Sequence, residues 1–214
     1  MKTPRFVHRV LLPLAALAAL ALGTGCTVLE PVADPTRFYS ITPASDGGRF
    51  AAVAPQGAPT IGVRLSTVAD HLRRTTIAVR EGAHEVRFET DHRWAERPEE
   101  AVARALAGGI QVQAGPRIHV FTAPALRTAT PDVLVEVDLL ACEGRRGPEA
   151  SALLVADWRV FKGREDRPAA SGRFRVERSG WDGADFNQLA ALLAAAVDDL
   201  AQAVGGPALK VAGE

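Results

Sequence analysis

The sequence predicts an α/β (or α+β) fold: a single domain with a mixed β-sheet that includes a three-strand meander, packed by two main helices. Three observations predict it. Apolar and polar residues alternate through Val133–Leu139, Leu154–Val160 and Phe174–Val176, the period of strands with one buried face. Apolar residues recur at helical spacing after Pro98 and again from Phe186 to Val204, which supplies two helices to cover that face. The chain has 214 residues, and its length without the leader is roughly 190, enough for one core.

The leader is residues 1–25. Lys2, Arg5 and Arg9 precede the stretch Val10–Cys26, and no acidic residue occurs before Glu30. A basic start, an apolar run and small residues before a cleavage point make a secretory signal. Gly23, Thr24 and Gly25 stand before Cys26, which resembles a loose bacterial lipobox, cut before the cysteine, whose thiol then carries diacylglycerol. A membrane-spanning helix is the competing reading, but a run of about 16 residues that contains Pro13 and ends in Gly-rich sequence falls short of the ~20 needed. Residues 26–35 read as a lipid-anchored tether, because Pro31 and Pro35 disfavour helix; from Thr27 to Pro35 it reaches at most ~30 Å. Thr27, rather than Asp, follows the cysteine, which favours the outer membrane under enterobacterial-type sorting.

Composition narrows the class. The whole chain has 25 basic and 25 acidic residues. Three basic residues leave with the leader, so the mature part is mildly acidic and offers no general footprint for nucleic acid. There are two cysteines. With Cys26 acylated, Cys142 has no partner in the chain and stability must come from packing.

Residues 36–206 read as the folded domain and 207–214 as a C-terminal tail. Arg37–Ile41 is a short strand, Pro43–Pro59 a surface loop and Thr60–Leu65 a second strand. Thr76–Arg80 and His84–Thr90 form a hairpin around Glu81-Gly82. Arg97-Pro98-Glu99-Glu100 starts a helix, with proline and two carboxylates suited to its first turn. Val102, Leu106 and Ile110 mark its buried face, and Gly115-Pro116 ends it. Arg117–Phe121 is a strand. In the meander, Val133, Val135, Val137 and Leu139 face one way and Glu136 and Asp138 the other; Glu143–Ala150 and Lys162–Pro168 are its links. Asp185 is the expected N-cap of the last helix, with Gln188 three residues on. Gly205-Gly206-Pro207 is the expected stop.

The order of these features resembles the ABC-type transport auxiliary lipoproteins, the PqiC-like family. The matching residues are Cys26, Phe38-Tyr39-Ser40-Ile41, Ile61-Gly62-Val63, Thr76–Arg80, Asp91-His92-Arg93-Trp94-Ala95-Glu96 with Pro98 after it, Val133–Leu139, Ala156-Asp157-Trp158-Arg159-Val160 and the final Ala/Leu-rich helix. The resemblance implies a non-catalytic docking subunit of an MCE/ABC-type intermembrane lipid transport system. It implies lipid anchoring through Cys26 to the periplasmic face of the outer membrane, an MCE-domain periplasm-spanning partner and a possible homo-oligomer. The alternative is an envelope-structural or assembly lipoprotein with no transporter.

Catalytic, cofactor and metal motifs are absent: no Gly-x-Ser-x-Gly, His-Glu-x-x-His, Cys-x-x-Cys or Gly-rich phosphate loop. His71, His84, His92 and His119 are scattered. Asp91-His92 is a candidate acid–base pair, against a solvated strand end. Cys142, placed on the Glu136/Asp138 face near Arg145 and Arg146, is a candidate thiolate, against a partly exposed structural cysteine. Trp158 belongs to the core alternation, and Trp94 packs under the first helix. Trp181 in Ser179-Gly180-Trp181-Asp182-Gly183 is the candidate partner-binding residue, read either as an exposed contact or as a cap on the sheet edge. Arg73-Arg74 and Arg145-Arg146 read as solvated surface, with anionic headgroups as a second reading.

Overall fold

The computed structural model describes residues 33–42, 55–122, 125–127 and 129–213. The leader, Cys26, most of the tether and most of the expected Pro43–Pro59 loop lie outside these residues. The described elements, in chain order, are β1 Arg37–Tyr39, β2 Thr60–Val68, β3 Thr76–Arg80, β4 Val86–Trp94, α1 Pro98–Ala114, β5 His119–Thr122, β6 Val133–Arg145, β7 Ser151–Lys162, β8 Ala170–Ser179 and α2 Phe186–Gly213.

The alternation that predicted the meander builds the centre of the sheet. β6 pairs antiparallel with β7 along its length, and β7 with β8. On its other side β6 is long enough to hold two strands, both parallel to it: β2 along Val133–Leu139 and β3 at Gly144–Arg145. β5 extends the sheet beyond β2, while β4 and then β1 extend it beyond β3. The result is one mixed sheet of eight strands with two main helices, an α/β fold of a single domain. Val133, Val135, Val137 and Leu139 are all buried, as are Val160 opposite Val135, Ala156 opposite Leu139, and Leu154 further along β7.

The hairpin of β3 and β4 forms where expected, but β4 runs on to Trp94. Thr76 pairs with Arg93 and Ile77 with Glu89, so the residues between Glu89 and Arg93 bulge out. The bulge gives β4 two uses. Its first half pairs with β3, and His92-Arg93-Trp94 pairs in parallel with β1.

Both helices cover the apolar face. In α1, Pro98 stands at the start, Glu99 and Glu100 occupy the first turn, and Gly115, at φ 61°, follows the last residue. Val102, Leu106 and Ile110 are buried. α2 crosses α1 closely: a Cβ on Gly109 would lie 2.5 Å from the Ala201 methyl. A side chain on Gly205 would likewise collide with Gln113, whose amide donates to the Ala201 carbonyl at 2.8 Å. Gly205 therefore serves close approach of the two helices and is not a stop.

The expected end of α2 is thus corrected. The helix continues through Pro207 to Gly213. An interior proline costs about 3 kcal/mol, and burial of Ala208 and Val211 on the same stripe offsets it. The first meander link is also shorter than expected, since β6 reaches Arg145 and β7 starts at Ser151.

Candidate functional site

Residues from five separate segments converge beside the start of α2. Tyr39 of β1 hydrogen-bonds through its hydroxyl to His92 Nδ1 of β4 at 2.9 Å. The His92 ring stacks on Phe186, centroids 4.0 Å apart and planes 17° apart. Trp181 meets Phe186 edge-on at 5.7 Å. The Arg146 guanidinium lies 5.6 Å from the Trp181 ring and 6.0 Å from that of Phe186, within cation–π range.

Local sequence explains how each side chain is held. Arg146 follows β6 directly; its Nη1 donates to Glu81 at 2.5 Å and Glu89 at 2.8 Å, and its Nε to the Gly183 carbonyl at 3.0 Å. Burial pulls this guanidinium down, but the hydrogen bonds to Glu81 and Glu89 outweigh it and hold the group above its ordinary range. The loop before α2 turns at Gly180 (φ 103°) and Gly183 (φ 85°), conformations that favour glycine. Asp182 Oδ1 accepts from the Ala184 and Asp185 amides, and these bonds hold its carboxyl below the usual range. Asp185 caps α2 as expected, its Oδ1 accepting from Asn187 at 2.9 Å and Gln188 at 3.3 Å. Gln188 reaches back to Asp182 N instead of the cap residue.

Of the two sequence readings of Trp181, an exposed contact or a cap on the sheet edge, the exposed one requires a correction: the residue is only 3% exposed. The chain turns inward at Gly180, and Gly144 on β6 leaves the space, since a Cβ there would lie 2.7 Å from the indole ring. Its Nε1 is buried without a hydrogen-bond partner. Trp94 is buried as expected, and Trp158 is partly buried against Gly172.

Cys142 also departs from its expected place. The β6–β7 register shifts between Leu139 and Ala141, so Leu140 drops out of the pairing and the alternation inverts. Cys142 then lies opposite the buried Leu154 and is 2% exposed. Burial, with the charge of Glu143 added, pushes its thiol up to about 12, the opposite of an activated thiolate.

The same shift turns Glu143 to the other face, where it is fully buried. Arg80 Nε donates to its Oε1 at 2.6 Å, and His71 Nε2 lies 3.2 Å from its Oε2. This buried ion pair was not read from the sequence, which placed Glu143 in a link. The acid–base pairing of Asp91 and His92 does not form: neighbours on a strand point to opposite faces, His92 bonds Tyr39, and Asp91 accepts from Thr90. Among the described residues no three His, Cys, Asp or Glu side chains gather to hold a metal. The arginine pairs do not form a free basic patch. Arg73 pairs with Asp70, Arg74 lies over Phe88 and Arg145 pairs with Glu177.

The convergent cluster therefore works as a clasp, joining β1, β4, the β6–β7 link and α2 by stacking and charge-assisted hydrogen bonds. Its members include Tyr39 and His92 from the motifs that carried the family resemblance. The family model for the ABC-type transport auxiliary lipoprotein component matches residues 39–205, from the clasp tyrosine nearly to the end of α2. The chain belongs to this family. No curated protein matches it. A protein of known structure from Xanthomonas campestris is similar at 15% identity and a TM-score of 0.63, covering 82% of this chain and 96% of its own. A second solved protein is similar at 11% identity and a TM-score of 0.63, covering 80% of this chain and 97% of its own. Both share the fold of the auxiliary lipoprotein domain.

Proposed function

We propose that this auxiliary lipoprotein is a non-catalytic docking subunit of an MCE/ABC-type intermembrane lipid transport system. Cys26 anchors it to the periplasmic face of the outer membrane, and a periplasm-spanning MCE-domain protein is its partner. The observation that carries this reading is the family match across residues 39–205. The clasp supports it, because its aromatic and charged groups are engaged with one another. A short tether raises the effective concentration of the domain against a large partner at the same membrane, so modest contacts suffice. Trp181 then acts indirectly, by holding the Gly180–Asp185 loop against β6. Self-association around the partner fits the same reading.

Two measurements test it. The native lipoprotein should co-purify from membranes with an MCE protein encoded beside it, and Trp181→Ala should weaken that complex. Absence of the complex with a folded, membrane-bound protein sinks the transporter reading; a complex unchanged by Trp181→Ala removes only the role of that residue. Cys26→Ala should yield unprocessed precursor or soluble protein. A Cys26→Ala species that was processed, membrane-bound and detergent-extractable would overturn the anchor.

A further inference from the structure

The face of the sheet turned away from the helices is not uniform. Across β2, β6, β7 and β8 its guanidiniums sit on carboxylates: Arg64 on Glu136, Arg159 on Asp138, Arg173 on Asp157 and Arg145 on Glu177. The corner made by β4, the start of β3 and β1 differs. Arg80 reaches Glu143 on the ionic face, and Thr76 and Ala78 share its side of β3. Thr76 pairs with Arg93, Ala78 with Phe88, and Phe38 with Arg93; paired residues share a face. The Arg74 guanidinium lies 5.0 Å from the centre of the Phe88 ring. Arg74, Phe88, Arg93 and Phe38 therefore occupy one surface. Arg74 and Arg93 are exposed, and Phe38 is 65% exposed. Among the described residues neither guanidinium has a carboxylate partner: Arg93 donates to the Thr90 carbonyl at 3.1 Å, and Arg74 covers Phe88. Asp91, exposed in the bulge, accepts from Thr90 and pairs with neither.

We propose that this corner rests on the phosphate surface of the bilayer that holds the anchor, with Arg74 and Arg93 on headgroup phosphates and Phe38 at headgroup level. The inference rests on the reading of Cys26 as the anchor. Two observations fix the occupant. The first is charge: these guanidiniums are uncompensated, so the surface that fits them is anionic. Rings interleaved with cations suit a headgroup layer, which accepts an aromatic edge and supplies phosphate oxygens beside it. The second is the chain itself. β1 follows directly on Pro35 and Thr36, and the tether of at most ~30 Å holds this corner at the bilayer at high effective concentration. An acidic protein surface would satisfy the arginines, but the tether does not deliver one. Each arginine close to an anionic bilayer is worth about 5-fold in binding. That is weak for a free protein and sufficient for a domain already held there.

The test uses the full-length acylated lipoprotein in vesicles of phosphatidylethanolamine and phosphatidylglycerol. With Cys26 acylated and Cys142 only 2% exposed, an introduced thiol takes a fluorescent label alone. Thr75→Cys places it at an exposed position beside Arg74, and Ser171→Cys, exposed on β8, is the control. A quencher attached to the lipid headgroups should quench the label at 75 and spare the label at 171. Adding Arg74→Gln and Arg93→Gln should lower the contact equilibrium about 25-fold with an unchanged melting temperature. Equal quenching at the two positions, or quenching at 75 that survives the two glutamines, would overturn the proposal. So would a label at 75 that is shielded in native membranes yet exposed in vesicles holding no other protein, which would assign the corner to a protein partner. Flotation is read on the same samples. A chain that floats with both labels unquenched overturns this inference alone, whereas a chain that does not float removes the anchor and this inference with it.

Discussion

Under α1 and α2, β6 presents Val133, Val135, Val137 and Leu139, all closed off from solvent. On its opposite face the same strand presents Glu136 and Asp138, which join a row of ion pairs across the sheet. Arg64 of β2 pairs with Glu136; Arg159 of β7 reaches Asp138 at 2.9 Å and Glu136 at 3.5 Å; Arg173 of β8 pairs with Asp157. The first face is held by burial and the second by pairs in contact with water. Burial is worth about 1.5–3 kcal/mol for each large apolar side chain, whereas an exposed pair is worth about 0–1 kcal/mol. The helix-covered face should therefore decide whether the domain folds, leaving the ionic face to set solubility and edge protection.

The largest expected effect comes from placing a charge on the covered face. Leu193 is fully buried on the α2 stripe. Leu193→Asp should cost about 4–5 kcal/mol, combining lost burial with an unpaired charge, a large part of the stability of an ordinary domain. Circular dichroism melting checks it. A variant melting with the parent would mean that the stripe does not hold the core.

Glu143 sharpens the comparison because it lies on the ionic face yet is sealed from water. The turn Asp70–Leu72 and the Arg80 side chain cover the end of β6 there. Removing one partner of a fully buried pair costs about 3–5 kcal/mol. Arg80 and His71 keep partial contact with water, so Glu143→Gln should cost less, about 2–3 kcal/mol. Urea unfolding of Glu143→Gln, compared with Glu143→Gln/Arg80→Gln, separates the pair from the stranded charge. The double variant should recover part of the loss; equal losses would place the cost elsewhere.

Much of this pattern could be read from the residues alone. The strands of the meander and the face of α1 were legible because their period is local and uninterrupted. The inversion in β6 was not, since Leu140-Ala141-Cys142 contains no glycine or proline to announce a bulge, and Cys142 and Glu143 were consequently misplaced. Pro207 misled in the other direction: a local breaker rule gave way to burial of Ala208 and Val211. The clasp was half legible. Its cap, Asp185, announced itself, and Tyr39 and His92 lay in recognised motifs. The burial of Trp181 depended on Gly144, distant in sequence, and on the guanidinium of Arg146.

The smallest expected effect is on the exposed pair of Asp157 and Arg173. Its geometry is bidentate, with Arg173 donating from Nε at 2.6 Å and from Nη2 at 2.8 Å. Geometry alone would rank it beside the Glu143 pair. The difference is water: both side chains are substantially exposed, so solvent already stabilises each charge and salt screens their attraction. The hydrogen bond from Arg173 holds the Asp157 carboxyl below its usual range. A depressed carboxyl contributes stability above the ordinary aspartate value of ~3.9 and loses it as pH falls through the folded value, so whatever the pair supplies is fully in place at neutral pH. Asp157→Asn should nevertheless leave the neutral-pH melting temperature unresolved from the parent at both low and high salt. If Asp157→Asn instead destabilised the domain as much as Glu143→Gln, exposure would not be what separates the two pairs, and the ionic face would have to be counted among the forces that hold the fold.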